Sequence, residues 1–190
     1  MLTEMLKNMK QLRKLNISGN PQLQSRSVRE IIVALQEAKQ LQEVDLSKLK
    51  MDGANDQCYR ELGELILKNR SLKTLNMQKV NATDSQVNFL IEPLVRAQNV
   101  ENINLSFNRI TGLFLEKYCK KVSMIGYTQS RDQGLDRNAS SSLLASESED
   151  NFSNANAALS GRQGSALHQG LISLSLEGNE IGDKGADAVA

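Results

Sequence analysis

The sequence predicts an α/β repeat fold, in which short strands and helices alternate along the chain. A pattern of three apolar residues, spaced by three and then two positions, occurs five times in the 190 residues. Its first members are Leu12, Leu41, Leu72, Val100 and Leu171, so that successive copies lie 29, 31, 28 and 71 residues apart. Apolar residues at helical spacing follow the copies, and a period of about 28 residues therefore predicts one strand and one helix.

The last copy, residues 171–190, shows the pattern most completely. Leu174 and Leu176 alternate with polar residues, as in a strand with one buried face. The amide of Asn179 can satisfy backbone groups in the turn that leaves the strand. Gly185 allows the following helix to pack closely. This stretch resembles the leucine-rich repeat, in the longer, helix-containing form found in ribonuclease-inhibitor-like proteins.

The resemblance implies a solenoid, that is, a right-handed β-α superhelix with a parallel sheet on its concave side and helices on its convex side. It extends over residues 1–122, as a partial repeat and four repeats, and over residues 171–190, as a final truncated repeat. Residues 123–170 are rich in Ser, Asn and Gly and carry few large apolar side chains. Such a segment cannot bury enough surface to offset its chain entropy, and we expect a disordered insertion.

Helices are predicted between the strands from their apolar stripes and end signals. The predicted helices cover residues 1–10, 27–39 and 56–68, a helix from residue 84, and a helix that includes residues 113–119. Ser27 and Glu30 fit a capping box, and Asp56 and Asp84 are the predicted caps of the next two helices. Pro93 lies within the helical pattern that begins at residue 84, where it predicts a kink or a helix end just before it.

The turn after each strand differs among the copies. Asn20, Asn108 and Asn179 occupy the same repeat position, whereas Leu49 and Val80 stand there in the middle copies. An apolar side chain cannot make the hydrogen bonds of the turn, and an unpaired buried group costs about 1–3 kcal/mol. We therefore expect that these two turns are reshaped or that water serves their backbone groups.

The charges give no sign of a nucleic-acid or membrane partner. The formal net charge is only +1. Residues 1–80 carry 14 Lys and Arg against 9 Asp and Glu, and residues 123–190 carry 4 against 9. Solvated faces of mixed charge explain this distribution. A basic end that prefers acidic partners is the alternative interpretation.

The sequence predicts neither an enzyme nor a cofactor or metal site. The single histidine, His168, falls in the predicted insertion, where no Ser-His-Asp or Cys-His pair is held in place. Cys58 and Cys119 belong to helices two repeats apart, beyond disulfide reach, and we interpret them as small apolar residues. The chain has no basic N-terminal segment with a long apolar run and no stretch of about 18 apolar residues. We expect a cytoplasmic protein.

The resemblance also predicts where a partner would bind. Leucines of each strand point into the core, and the residues that alternate with them point to the concave face. The predicted binding residues are Lys14, Asn16, Ser18, Glu43, Asp45, Ser47, Thr74, Asn76, Gln78, Asn102, Asn104, Ser106, Ser173, Ser175 and Glu177. Most of these side chains are short and polar, and the aromatic and arginine anchors of binding hot spots are absent. A merely solvated sheet face is therefore the alternative interpretation.

Members of this family mostly act as protein-interaction scaffolds, so the resemblance implies that the partner is another protein. Two alternatives stay open: a regulatory protein of the GTPase-activating type, and the truncated ligand-sensing region of a switch protein or ubiquitin ligase. Ser146 and Ser148 lie in an acidic cluster and are candidate phosphorylation sites. Both chain ends fall within repeats, so we expect a portion of a longer protein that can self-associate through its uncapped ends.

Overall fold

The protein contains a five-stranded parallel sheet whose strands lie in the order of the sequence, β1-β2-β3-β4-β5. A computed structural model describes residues 2–51, 56–132 and 170–187. The strands are β1 (Lys14–Asn16), β2 (Glu43–Asp45), β3 (Thr74–Asn76), β4 (Asn102–Asn104) and β5 (Ser173–Ser175). Parallel neighbours cannot be joined by a tight hairpin, so the chain must cross from the end of each strand to the start of the next.

Helices alternate with the strands, and each helix packs against the next helix along the chain. The helices are α1 (Leu2–Asn8), α2 (Ser25–Leu35), α3 (Gln57–Lys68), α4 (Asp84–Ala97), α5 (Gly112–Asp132) and α6 (Gly182–Asp187). The predicted α/β class, with a parallel sheet and alternating helices, is confirmed. None of these described helices has both the length and the apolar character needed to cross a bilayer.

The middle residue of every strand points into one apolar core. Leu15, Val44, Leu75, Ile103 and Leu174 are Cα partners across the four strand pairs. Those of the three inner strands are buried, together with the apolar stripes of the helices. A slip of one residue would turn these side chains to the opposite face of the sheet, so the core fixes the register.

The two outer strands are less well covered. Leu15 in β1 and Leu174 in β5 are only half-buried against the core. Helix α1, which packs against α2, exposes Leu2 and Met5, and Met9 directly after the helix is also exposed. Exposed apolar side chains of this kind favour association, and the predicted self-association stays a prediction.

The starts of α2 and α3 differ from the expected caps. Helix α2 begins two residues before Ser27, after the N-cap Gln24, which makes no side-chain cap. Glu30 accepts a hydrogen bond from Nε of Arg26 at 3.2 Å, so the predicted Ser27–Glu30 capping box is wrong. Asp56 does occupy the N-cap of α3, but with a φ of 52° and no side-chain hydrogen bond to the helix.

Helix α4 is capped by Thr83 and not by the predicted Asp84. The backbone N–H of Thr83 donates to Oε1 of Gln86 at 3.0 Å, which is one half of a capping box. Asp84 turns instead to the next repeat, where its two carboxylate oxygens accept from the backbone N–H and the hydroxyl of Thr111 at 3.0 and 2.7 Å. The carboxylate therefore joins the starts of α4 and α5.

Pro93 does not end α4, which continues to Ala97. Proline has no N–H to donate to the carbonyl of Phe89, one turn earlier. Its ring lies against Gly63 of α3, where an added Cβ would stand 3.0 Å from the proline Cγ. Of the two alternatives, the helix end is therefore wrong and the kink stays a prediction. The missing side chain of Gly63 leaves room for the ring between the two helices.

Helix α5 extends to Asp132, so residues 123–132 are helical and the predicted insertion of 123–170 was placed too early. Those residues include few strong apolar positions, and the composition hid the continuation of the helix. Gly170 is again described, and is buried beside the strand β5. The remainder of the predicted disordered segment, including Ser146, Ser148 and His168, lies outside the described residues.

Equivalent leucines should contribute unequally to stability. We expect Leu75→Ala, in the central strand with an exposed fraction of 0%, to lower the free energy of unfolding by about 2–5 kcal/mol, because it leaves a cavity in a packed core. Leu15→Ala, at the same repeat position in β1, should cost less because its side chain is only partly buried. Urea denaturation measures both. Equal losses would contradict the described core.

Candidate protein-binding face

The predicted binding residues lie together on one face of the sheet, named here the open face, in three columns. The first column is Lys14, Glu43, Thr74, Asn102 and Ser173; the central column is Asn16, Asp45, Asn76, Asn104 and Ser175; the third is Ser18, Ser47, Gln78, Ser106 and Glu177. The strand register aligns the first two columns. The third column follows the strand ends, where the backbone ladder continues, as from the N–H of Lys79 to the carbonyl of Ser106 at 3.1 Å.

The central column supports the turns as well as forming the surface. Oδ1 of Asn16, Asp45, Asn76 and Asn104 accepts a hydrogen bond from the backbone N–H two residues later, at 2.9, 2.9, 3.2 and 3.0 Å respectively. This is an Asx turn, which Asn and Asp form with their own backbone. One oxygen of each side chain is therefore committed to the fold. The three Asn Nδ2 groups make no hydrogen bond to any described residue, and they point to the open face.

The third column is less exposed than the sequence predicted. Ser47 and Ser106 are buried, with exposed fractions of 6% and 3%. Their backbone carbonyls accept from Gly19 N–H at 2.9 Å and Lys79 N–H at 3.1 Å, so both residues are held in the ladder. A partner on the open face would therefore contact little of these two serines.

The first column offers the more accessible side chains. Lys14 and Glu43 form an ion pair at 2.7 Å across β1 and β2. Thr74 and Asn102 are partners in the register of β3 and β4 and are half-buried, and their side chains make no hydrogen bond to the described residues. These two side chains are free to pair with a partner molecule.

An asparagine in one repeat serves the turn of the repeat before it. Nδ2 of Asn108 donates to the carbonyls of Leu105 at 2.8 Å and Met77 at 2.9 Å, and Oδ1 accepts from the N–H groups of Val80 and Ala82 at 3.0 Å each. The N–H groups of Val80 and Ala82 are therefore paired with an amide of the next repeat, which the sequence did not predict. The turn is also reshaped, as one of the two expected alternatives had it, because Asn81 within it has a φ of 59° and the residues at its repeat position in the other copies do not.

The same arrangement recurs one repeat later. Oδ1 of Asn179 accepts from the N–H groups of Asn108 and Ile110 at 3.2 Å each, and Nδ2 donates to the carbonyls of Leu105 and Leu176 at 2.9 Å each. Bonds across repeats therefore couple neighbouring copies. Leu49 stands at the equivalent position in the second copy and is buried, and its N–H donates within the turn to Leu46 at 3.3 Å.

Two further buried asparagines, which the sequence did not mark, join the segments that follow successive helices. Nδ2 of Asn69 donates to the carbonyl of Ala38 at 2.7 Å. Nδ2 of Asn99 donates to the carbonyls of Asn69 and Leu72 at 2.8 and 3.0 Å. These asparagines stand at different positions of their repeats, so no periodic signal marks them.

The cysteines are free thiols, as their placement in separate helices predicted. Sγ of Cys58 donates to the carbonyl of Ser25 at 3.2 Å. Burial raises the pKa of Cys58, and burial likewise raises the pKa of Cys119. Within the described part of the chain, no three His, Cys, Asp or Glu side chains are grouped as metal ligands.

Comparison with known proteins bears on the last repeat. A family model described as Leucine Rich repeat matches residues 170–190, which contain β5, the turn at Asn179 and α6. The preceding strands share its register and, at Asn108, its turn hydrogen bonds. A search of curated protein sequences finds no significant match. The match supports a leucine-rich repeat in this protein, and the presence of such a repeat points to a general role in protein interaction.

The coupling between repeats can be measured by removing one amide. We expect Asn108→Ala to lower the free energy of unfolding by about 3 kcal/mol, because it leaves buried backbone groups of two repeats unpaired. Asn20→Ala is the matched control: Nδ2 of Asn20 donates only to the carbonyls of Ile17 and Ser18, at 2.9 and 3.2 Å, and its loss should cost below about 1 kcal/mol. Chemical denaturation gives both values. A control as damaging as Asn108→Ala would refute the coupling.

The raised thiol pKa values predict slow modification of the folded protein. With the pKa raised, a smaller fraction of each cysteine is thiolate at a pH near the ordinary value of about 8.5. Ellman's reagent should therefore react more slowly with the folded chain than with the chain in urea. The rate of thiol modification should rise with pH in both states, and the curve of the folded chain should lie at higher pH than that of the unfolded chain. Cys58→Ser and Cys119→Ser variants assign the two rates. Coincident curves would contradict the buried thiols.

Proposed function

We propose that the protein is a non-catalytic scaffold whose open face binds another protein. In this proposal the strand–helix units stack as a right-handed leucine-rich-repeat solenoid of the ribonuclease-inhibitor-like type, with the open face on the concave side. The parallel register of five successive strands supports the stacking. The match of the last copy to the leucine-rich repeat supports the type of unit.

One observation carries the binding proposal: polar side chains cover an uninterrupted face of five strands that are paired in parallel register with their neighbours. The sheet holds Thr74 and Asn102 in fixed positions, and their side chains make no hydrogen bond to the residues that the structure describes. Rigid positioning reduces the entropy lost on association, and hydrogen bonds across a polar surface supply specificity. Such a face suits a protein partner that presents complementary polar groups.

The same proposal covers compartment and chemistry. We place the protein in the cytoplasm, where thiols such as those of Cys58 and Cys119 remain reduced, and we assign it no cofactor and no catalytic step. The charged side chains of the first column, Lys14 and Glu43, form an ion pair with each other, which supports a structural role for these two groups.

Affinity capture from cell extract, read by mass spectrometry, tests the face directly. We expect Thr74→Arg with Asn102→Arg to remove the specific partners, because two long cations would stand where a partner must approach. Neither side chain holds a turn, unlike Asp45 and Asn76, so the fold should persist, as circular dichroism can show.

The matched control places the same charges on the helices. Val33 and Leu113 are exposed, at 37% and 55%, and Val33→Arg with Leu113→Arg should retain the partners. If the open-face variant retains every specific partner, or if the control loses the same ones, the open face is not the binding surface.

A further inference from the structure

The residues that leave the strands share an unusual backbone conformation. Gly19, Lys48, Lys79, Phe107 and Gly178 occupy one repeat position and have φ values of 66°, 60°, 56°, 57° and 66°. The left-handed region is open to glycine but costs energy for residues with a Cβ, and a bulky aromatic there is an outlier. Glycine in the first and last copies shows what the turn itself prefers. The three middle copies keep large side chains at a cost in stability.

These three side chains reach the surface along one edge of the sheet, named here the loop edge. Lys48 and Lys79 are exposed, and Phe107 has an exposed fraction of 40%. The ammonium of Lys79 lies 4.8 Å from the centroid of the Phe107 ring. The ring also lies against Gly178, where an added Cβ would stand 2.5 Å from Cδ1. The aromatic ring is therefore fixed in place before any partner arrives.

The loop edge also carries cations that have no carboxylate partner among the described residues. Lys50 and Arg109 stand two residues after Lys48 and Phe107 and are exposed. None of the ion pairs among the described residues includes Lys48, Lys50, Lys79 or Arg109. At the opposite end of the strands, by contrast, Lys14 pairs with Glu43 and Lys73 with Glu101. Part of the excess of Lys and Arg in residues 1–80 thus lies in this row of cations, beside the exposed ring of Phe107.

We propose that the loop edge binds an acidic segment of another protein. Its carboxylates pair with the cations of the row, and an apolar side chain between them packs on Phe107. Charge complementarity identifies the occupant, since four cations without an ion pair among the described residues favour a negatively charged ligand. This surface is distinct from the open face, so the inference goes beyond the function proposed above.

The loop edge fits a protein segment better than a nucleic acid. Single-stranded nucleic acids require open aromatic faces on which successive bases stack. On this edge the one aromatic side chain is Phe107, and Lys79 already lies over its ring. A peptide needs only the exposed part of the ring and carboxylates at the spacing of neighbouring repeats.

Restoring glycine separates binding from folding. The variant Lys48→Gly, Lys79→Gly, Phe107→Gly places at each turn the residue that the first and last copies have. It removes the proposed contacts and the left-handed strain together, so we expect an unchanged or higher melting temperature. A second variant, Lys48→Gln, Lys79→Gln, Arg109→Gln, removes charge and keeps the ring.

A random peptide library displayed on phage is selected on the wild-type protein, with the glycine variant as counter-selection. We expect the recovered peptides to carry Asp and Glu around an apolar residue and to bind the glycine variant about tenfold or more weakly by fluorescence anisotropy. The glutamine variant should also bind them more weakly, and the affinity of the wild type should fall with added salt. The open-face variant Thr74→Arg, Asn102→Arg should retain them.

Three outcomes would overturn the proposal. Recovered peptides without an acidic bias would remove the charge argument, and peptides that bind the glycine variant as tightly as the wild type would place the site elsewhere. Oligouridylate that binds more tightly than the best peptide, and is lost in the glutamine variant, would make the row a nucleic-acid site instead.

Discussion

The in-register pairing of the five strands is the constraint on which the remaining structure depends. Each strand is only three residues long, and its one central apolar residue cannot be buried by its own helix alone. Pairing with the next strand aligns Val44, Leu75 and Ile103 in a single core. Burial of these residues fixes the register. Residues at the same repeat position before or after each strand therefore lie next to one another in neighbouring repeats. The open face and the loop edge are both consequences of that repetition.

Polar side chains continue the coupling where the strands end. Asn108 pairs with backbone groups of its own repeat and of the preceding one. Asp84 pairs with Thr111 across two helix starts. A buried polar group that loses its partner costs about 1–3 kcal/mol. These hydrogen bonds therefore add to the apolar contacts at the turns, where Leu49, Val80 and Ile110 are buried.

The sequence predicted the parts of the fold that depend on short-range periodicity. Leucines spaced by three and two positions identified all five strands, and alternation along the strand correctly placed the open-face residues on one side of the sheet. It did not predict contacts made by neighbouring repeats. Thr83 and Asp84 are both good caps in isolation, and only the position of Thr111 explains why the aspartate turns away. Val80 similarly gives no sign of the amide that Asn108 supplies, because that partner is 28 residues distant.

The sequence also could not separate binding residues from structural ones, because one side chain can stabilise a turn and form part of the surface. Asn76 commits its oxygen to a turn and leaves its amide nitrogen at the open face, so residue type alone could not divide the column into structural and binding groups. The loop edge shows the converse case. Gly19 and Gly178 meet the backbone requirement at no cost, whereas Phe107 meets it with strain and exposes its ring. Phe107 strains its backbone, exposes its ring and is held in place by its neighbours. A contact with another molecule explains best why such a residue stands here. The cations beside it, which have no ion pair among the described residues, favour an acidic partner.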